Sequence, residues 1–287
     1  MKKLLYFLCM CGIFACQEDF DELKDTQQRH VLFTFHVEEL FSKVLVANGD
    51  TYQLGEVSEL PADYRMRITV YGYDHFDSLI YDKTVLSDYS ESLVLKVRHL
   101  QADQTYHFAF VADVVKYDHY VDYFETWFLL GTKCWPDAYI YADERNENAL
   151  CNSMAFAEML ITPDNQQVKV VFKPITYNGF CVFNGLNSID RLSGYVMYCS
   201  NFLLKNRTWQ RRNSLSYRFD ERNLQESGSF VMPVSLCDAD SVVTVKMRTL
   251  TLSGADSTII DIPNKGRRPF VATFNCTTLE LDNCNYY

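Results

Sequence analysis

From His30 onward, apolar and polar residues alternate with a period of two. In "YRMRITVYGYD", Tyr64, Met66, Ile68 and Val70 share one face, and Arg65, Arg67 and Thr69 share the other. "SLVLKVRHL" repeats the pattern with Leu93, Leu95 and Val97 against Lys96 and Arg98, and "TYHFAFVADV" groups Tyr106, Phe108 and Phe110. Successive side chains of a strand point to opposite faces, so this alternation predicts half-buried antiparallel strands. The runs are short, rich in Val, Ile, Thr, Tyr and Phe, and separated by turn-forming segments such as "ANGD" and "YDHFD". Only "ENALCNSMAFAEML", residues 147–160, reads as a helix candidate.

The pattern breaks at "ITPDNQQ", residues 161–167, and restarts with "VKVVFKP", where Val168, Val170 and Phe172 fall on one face. Further strands are predicted in "GYVMYCSNFLL", "LSYRF", "GSFVMPVSL", "SVVTVKMRTLTL", "STIIDI" and "FVATFNCTTLEL". Pro233 cannot donate to a ladder, which places its strand at an edge or a bulge. Each half offers six or seven short strands, the number a β-sandwich needs. The chain therefore reads as all-β, with two tandem antiparallel β-sandwiches over residues 30–163 and 164–287.

The first residues follow a different rule. Lys2 and Lys3 precede an uncharged apolar stretch from Leu4 to Ala15, too short to span a bilayer, which takes about 20 residues. This has the form of an export signal over residues 1–15. Ile13-Phe14-Ala15-Cys16 resembles a bacterial lipobox, which makes Cys16 the candidate lipidation site. Acyl chains contribute about 0.8 kcal/mol per buried methylene, so several together hold a protein at a membrane. Glu18, Asp19, Asp21 and Glu22 follow in an acidic linker over residues 16–29 and resemble the surface-export signal of Bacteroidetes lipoproteins. The expected location is the outer membrane, lipid-anchored and facing outward.

The 287-residue chain carries a formal charge of −10. Removing the leader leaves 25 basic against 37 acidic residues, a formal −12. With no basic run to neutralise phosphates, nucleic acid is an improbable partner. Seven cysteines follow Cys16, and an odd count leaves at least one unpaired. Cys276 with Cys284 would close a short loop and Cys134 with Cys151 a longer one, while buried reduced thiols are the alternative. None of the seven forms a CxxC pair, so no zinc site is expected.

Catalytic signals are few. Asp113, Asp118, His119, Asp122 and Glu125 form the densest polar group, but their spacing fits no calcium loop. GxSxG, Walker and GxGxxG motifs are absent, and no cofactor or enzymatic activity is expected. "YFETWFLLGTKCWPDAYIY" concentrates aromatic rings; Trp127 and Trp135 are the candidates for stacking on sugars, with core packing as the other reading. Asp77-Ser78-Leu79, Asp240-Ser241-Val242 and Asp256-Ser257-Thr258 match the short Bacteroidetes O-glycosylation acceptor, a pattern that arises often by chance.

Together the lipobox at Cys16, the acidic spacer, "LPADYRMRITVYGYD", "QTYHFAFVADVV" and "PDAYIY" resemble the fimbrial anchor and subunit lipoproteins of Bacteroidales. Val111 stands where that family's Tyr-x-x-x-x-Trp-Ala-Asp element has its tryptophan. The resemblance implies tandem transthyretin-like sandwiches and partnership with fimbrial or other surface subunits by strand exchange. It also implies a candidate protease site at Arg29, the one arginine between Cys16 and the strand "HVLFTFHVEE". The expectation is a non-catalytic anchor or accessory subunit; the alternative is a glycan-binding lipoprotein of a polysaccharide-utilisation system.

Overall fold

The structure is a computed structural model that describes residues 28–37, 44–55, 60, 64–87, 93–118, 123–124, 128–130, 134–135, 137–142, 154–198, 201–210, 215–222, 228–237, 242–266 and 268–287. In chain order the first strands are β1 (Gln28–His36), β2 (Val44–Asn48), β3 (Thr51–Gly55), β4 (Tyr64–Tyr73), β5 (Leu79–Ser87), β6 (Val94–Gln101) and β7 (Tyr106–Asp118). Then come β8 (Tyr123–Phe124), β9 (Phe128–Leu130), β10 (Tyr139–Ala142), β11 (Met154–Ile161), β12 (Gln166–Val171), β13 (Lys173–Pro174) and β14 (Thr176–Asn184). A 3-10 turn, Leu186–Ser188, leads to β15 (Arg191–Tyr198), β16 (Asn201–Leu203), β17 (Thr208–Gln210), β18 (Leu215–Arg222) and β19 (Ser229–Cys237). The last four are β20 (Val242–Thr251), β21 (Gly254–Pro263), β22 (Phe270–Asn275) and β23 (Glu280–Tyr286). The fold is all-β.

A three-stranded sheet, β12-β1-β6, faces a larger sheet ordered β13-β11-β7-β4-β5. Val31, Phe33, Leu95, Val97, Val170 and Phe172 from the first meet Ile68, Val70, Phe108 and Phe110 from the second in one core. The periodicity assigned these faces correctly, because this side of each strand meets only apolar neighbours. In the second half, β19-β14-β22-β23 covers β18-β15-β20-β21. Cys181, Phe183, Ala272 and Phe274 pack there against Leu192, Val196, Val245 and Met247. Pro233 lies on β19, an edge strand, opposite Phe180 of β14, the kind of position at which a sheet tolerates proline.

Between the halves lies a further sheet, β17-β16-β10-β9. β10 pairs with β16, Ile140 opposite Phe202, so strands from both halves share it. It covers the second face of the large sheet, where Tyr71, Val111 and Phe156 join Ile140, Phe202 and Leu204 in a core continuous with that of the second half. The expected polar face of β4 is consequently interior: Arg67 is 2% and Thr69 6% exposed. This corrects the half-exposed reading, because the large sheet is a middle layer.

The same layering explains the helix candidate. Residues 154–160 belong to β11, paired antiparallel with β7 from Met154 opposite Asp113 to Ile161 opposite Tyr106. Ala155 and Ala157 enter one core, Met154 and Phe156 the other. A strand buried on both faces loses its alternation and reads as an apolar run. Residues 147–153 lie outside the described residues.

The break at residues 161–167 separates β11 from β12, yet β12 pairs parallel with β1 and β13 pairs with β11. By pairing, β12 and β13, up to Pro174, join sheets built from strands that precede the break. The break is a turn carrying the chain between facing sheets, with Asn165 in the left-handed region at φ 49°. A Pro-, Asp- and Asn-rich turn and an interdomain linker have the same composition.

Candidate functional site

Strand β1 is the element that strand-exchange chemistry would involve, and it is fully integrated. It runs antiparallel to β6 and parallel to β12, Phe33 lying opposite Leu95 on one side and Val168 on the other. Val31 and Phe33 are completely buried and Phe35 nearly so. The Phe33 ring centre lies 5.0 Å from that of Phe108 and 4.9 Å from that of Phe110. Each such buried side chain stabilises by about 1.5–3 kcal/mol, so withdrawing β1 would remove a large share of the first core's stability.

The start of β1 is also fixed by polar contacts. The His30 backbone N–H donates to Asn165 Oδ1 at 3.0 Å, and His99 Nδ1 lies 2.6 Å from Gln28 Oε1. Arg29 sits inside the strand, opposite Leu100, at a register shift between Arg29 and Val31. It is therefore not in the linker, as the sequence reading had it. Backbone pairing does not depend on side-chain polarity, so the polar pair Gln28-Arg29 concealed the true start. Cleavage after Arg29 would require the first two residues of β1 to open.

Among the described residues, the outer edges of β6 and β12 carry no paired strand. Val94 on β6 is 51% exposed and Val171 at the end of β12 is 45% exposed. Lys96 and Arg98 of β6 and Gln167 and Lys169 of β12 are exposed beside them. An unpaired row of N–H and C=O groups is the kind of surface to which another strand adds.

The aromatic candidates separate. Trp127 and Cys16 lie outside the described residues. Trp135 is 4% exposed, its ring centre 3.8 Å from His107 and 5.2 Å from Tyr73. A ring this deeply buried offers no face to a sugar, so Trp135 is a core residue, which was the other of its two readings. The turn holding it is tied down by the Trp135 backbone N–H, which donates to the Asp77 carbonyl at 2.9 Å.

Beside Trp135 lies a polar cluster that the sequence did not reveal. Arg207, in the left-handed turn between β16 and β17 at φ 52°, donates from Nε to Glu158 Oε1 of β11 at 2.8 Å. His107 Nε2 on β7 is 3.5 Å from Glu158 Oε2. Burial pushes the His107 pKa down and outweighs the neighbouring Glu158 carboxylate, which pulls it up. The three residues come from three strand regions, and no local spacing announces them.

A second missed linkage joins β2 to β14. The Leu45 N–H donates to Asn178 Oδ1 at 3.1 Å, and Asn178 Nδ2 donates to the Leu45 carbonyl at 2.8 Å. The β2–β3 hairpin thereby docks on the second half, with the Tyr52 ring 5.0 Å from that of Phe180. Cys134, Cys181, Cys276 and Cys284 are free thiols, so of the two readings Cys276 and Cys284 follow that of unbridged cysteines, and Cys151 lies outside the described residues. Cys276 caps a strand end through its N–H to the Asn184 carbonyl, while Cys284 lies on β23. Ser78 of the first glycosylation-like triplet is held in a bridge with Cys134, whereas Ser257 is exposed on β21. Among the described residues no group of three His, Cys, Asp or Glu side chains is placed to hold a metal ion, and no helix is long and apolar enough to cross a membrane.

No protein-family model matches the chain, and no curated protein matches it in sequence. Solved structures do share its architecture. A candidate adhesin from Bacteroides thetaiotaomicron aligns at 12% identity and TM-score 0.50, covering 91% of this chain and 96% of the other. A candidate polysaccharide-binding protein from the same organism aligns at 9% identity and TM-score 0.52, covering 91% and 95%. The fimbrial anchor protein Mfa2 from Porphyromonas gingivalis aligns at 11% identity and TM-score 0.49, covering 90% and 97%. The two Bacteroides likenesses show that this chain shares the all-β fold of those two proteins over nine-tenths of its length, 91% in each case.

Proposed function

We propose that this chain is a non-catalytic, lipid-anchored subunit of the outer cell surface that anchors, or is added to, a fimbria-like polymer through strand addition. The observation that carries this reading is the seating of β1. Its inward residues complete the first core, and it begins at Gln28, twelve positions after Cys16. A subunit that keeps its own first strand and an N-terminal tether is suited to the base of a polymer. A shaft subunit must instead vacate a groove for its neighbour. At about 3.3–3.6 Å per residue the tether reaches roughly 40 Å, enough to hold the sheets clear of a membrane surface. The unpaired edges of β6 and β12 supply the main-chain groups for a partner strand.

Two measurements test this. Metabolic labelling with a fatty-acid analogue should mark the protein and be abolished by Cys16→Ala, with the variant released from membranes. Crosslinking in native outer membranes should trap a second surface subunit on β6 or β12. An unacylated amino terminus, or a protein recovered only as a monomer across repeated crosslinking, overturns the reading.

A further inference from the structure

The outward face of the sheet β18-β15-β20-β21 is basic in a chain whose formal charge is −10. Alternation places Arg222 of β18, Arg191 of β15, and Lys246 and Arg248 of β20 on this one side, because their pairing partners alternate with the buried Leu192, Val196, Val245 and Met247. The carboxylates facing the same way are Asp220 and Asp261, and both are occupied. Asp220 accepts from Arg191 Nε at 2.6 Å and from Arg191 Nη2 at 2.5 Å, with Arg222 Nη2 3.6 Å away. Asp261 accepts from the Thr244 hydroxyl at 2.6 Å.

Two cations remain uncommitted. Arg248 is exposed and makes no hydrogen bond or ion pair with the described residues, and the residue across the strand pair from it is Ser257. Lys246 holds its ammonium 5.7 Å from the Tyr195 ring centre and makes no ion pair with the described residues, Asp261 lying diagonally across the strand pair. An open depression of about 110 Å³ lies between Arg191, Ser193, Arg248 and Leu250. Its lining joins two guanidinium groups and a hydroxyl to one apolar side chain. That combination suits a carboxylate or sulfate group attached to a carbon ring.

We propose that this face binds an anionic polysaccharide, one bearing uronate or sulfate groups. Arg248 would take an anionic group in the depression, and Lys246 would take the next one along the strand. Two residues of a strand span about 6.8 Å, a separation suited to charges carried on successive sugar rings. The face is flat and its cations are spaced apart, which fits an extended polymer better than a compact anion. An acidic polypeptide carries similar charges but no carbon ring to lie against Leu250, and polyglutamate is therefore an arm of the test. Nucleic acid would need a denser basic track to offset the charge of the whole chain. The proposal is independent of strand addition at β6 and β12, and it places a glycan on a different surface from Trp135.

The test uses the full-length protein in detergent, run through gels or columns carrying heparin, polygalacturonate, neutral dextran or polyglutamate. Heparin or polygalacturonate should retain the protein at low salt, release it as salt rises, and outperform both dextran and polyglutamate. The double variant Lys246→Glu and Arg248→Glu should weaken retention about tenfold or more. Lys96→Glu with Arg98→Glu, on the exposed side of β6, should leave it unchanged. Matched circular dichroism and melting curves show that each variant is folded. Equal retention of wild type and the β20 variant overturns the proposal, as does retention by polyglutamate matching that by the polysaccharides. Absence of retention by either anionic polysaccharide also overturns it, and none of these outcomes bears on acylation or on crosslinking at β6 and β12.

Discussion

The guanidinium of Arg67 is clasped by the carboxylate of Asp113 in the interior, Nε to Oδ1 at 2.8 Å and Nη2 to Oδ2 at 2.5 Å, with side chains 2% and 0% exposed. The two residues are direct cross-strand partners on β4 and β7, on the face of the large sheet that the interposed strands cover. A buried pair of this kind satisfies both charges but leaves neither tolerable alone.

Asp113→Ala should therefore cost about 3–5 kcal/mol, because it leaves a guanidinium buried without its carboxylate. Arg67→Met combined with Asp113→Leu should recover most of that loss. Urea unfolding of the two variants beside wild type checks it. A single variant as stable as the double one would contradict the assignment.

Asn178 holds β2 through both polar groups of Leu45. Asn178→Leu should cost about 1–3 kcal/mol by stranding a buried N–H and C=O. Hydrogen exchange gives the sharper readout. The Leu45 amide should lose protection, while Phe33 and Phe110, paired within β1 and β7, keep theirs.

His107 sets a pH dependence. Its folded-state pKa is lowered, chiefly by burial. The folded protein thus binds this proton more weakly than the unfolded chain. The contribution is intact above the unfolded value of about 6.5 and is lost as pH falls from there through the folded value. Urea midpoints measured from pH 8 to pH 5 should decline below about 6.5. His107→Gln should flatten the decline in that window. Identical curves for the two proteins would remove His107 as its source.

Thiol reactivity should rank by burial. Cys134 is exposed, whereas Cys181 and Cys276 are buried. Burial pushes the Cys181 thiol far up and the Cys276 thiol up to about 12, so neither supplies thiolate near neutral pH. Site-resolved mass spectrometry after alkylation at pH 8 should find Cys134 modified first, and Cys181 and Cys276 only after unfolding.

The alternation in "YRMRITVYGYD" and "TYHFAFVADV" was enough to place β4 and β7 and to name the residues of the first core. Pro233 narrowed its strand to an edge or a bulge, and the sheet order makes it an edge. Arg67 and residues 154–160 were misread, and Trp135 left between two readings, for one common reason. Arg67, Met154 and Phe156 lie on the second face of the middle sheet and Trp135 packs against that face, and a strand's own sequence does not record a layer brought in by β10 and β16 from distant parts of the chain.

What the sequence alone determined was the all-β class and one apolar face of β4, β6, β7 and β12, since these follow from side-chain polarity read over a few neighbouring residues. Tertiary structure decided which strands pair, that β12 returns to β1, that Arg67 meets Asp113, and that scattered cations gather on one face of the second half. Strand pairing is made by backbone groups that nearly every residue carries alike, so partner choice rests on how whole faces fit together and not on any short stretch.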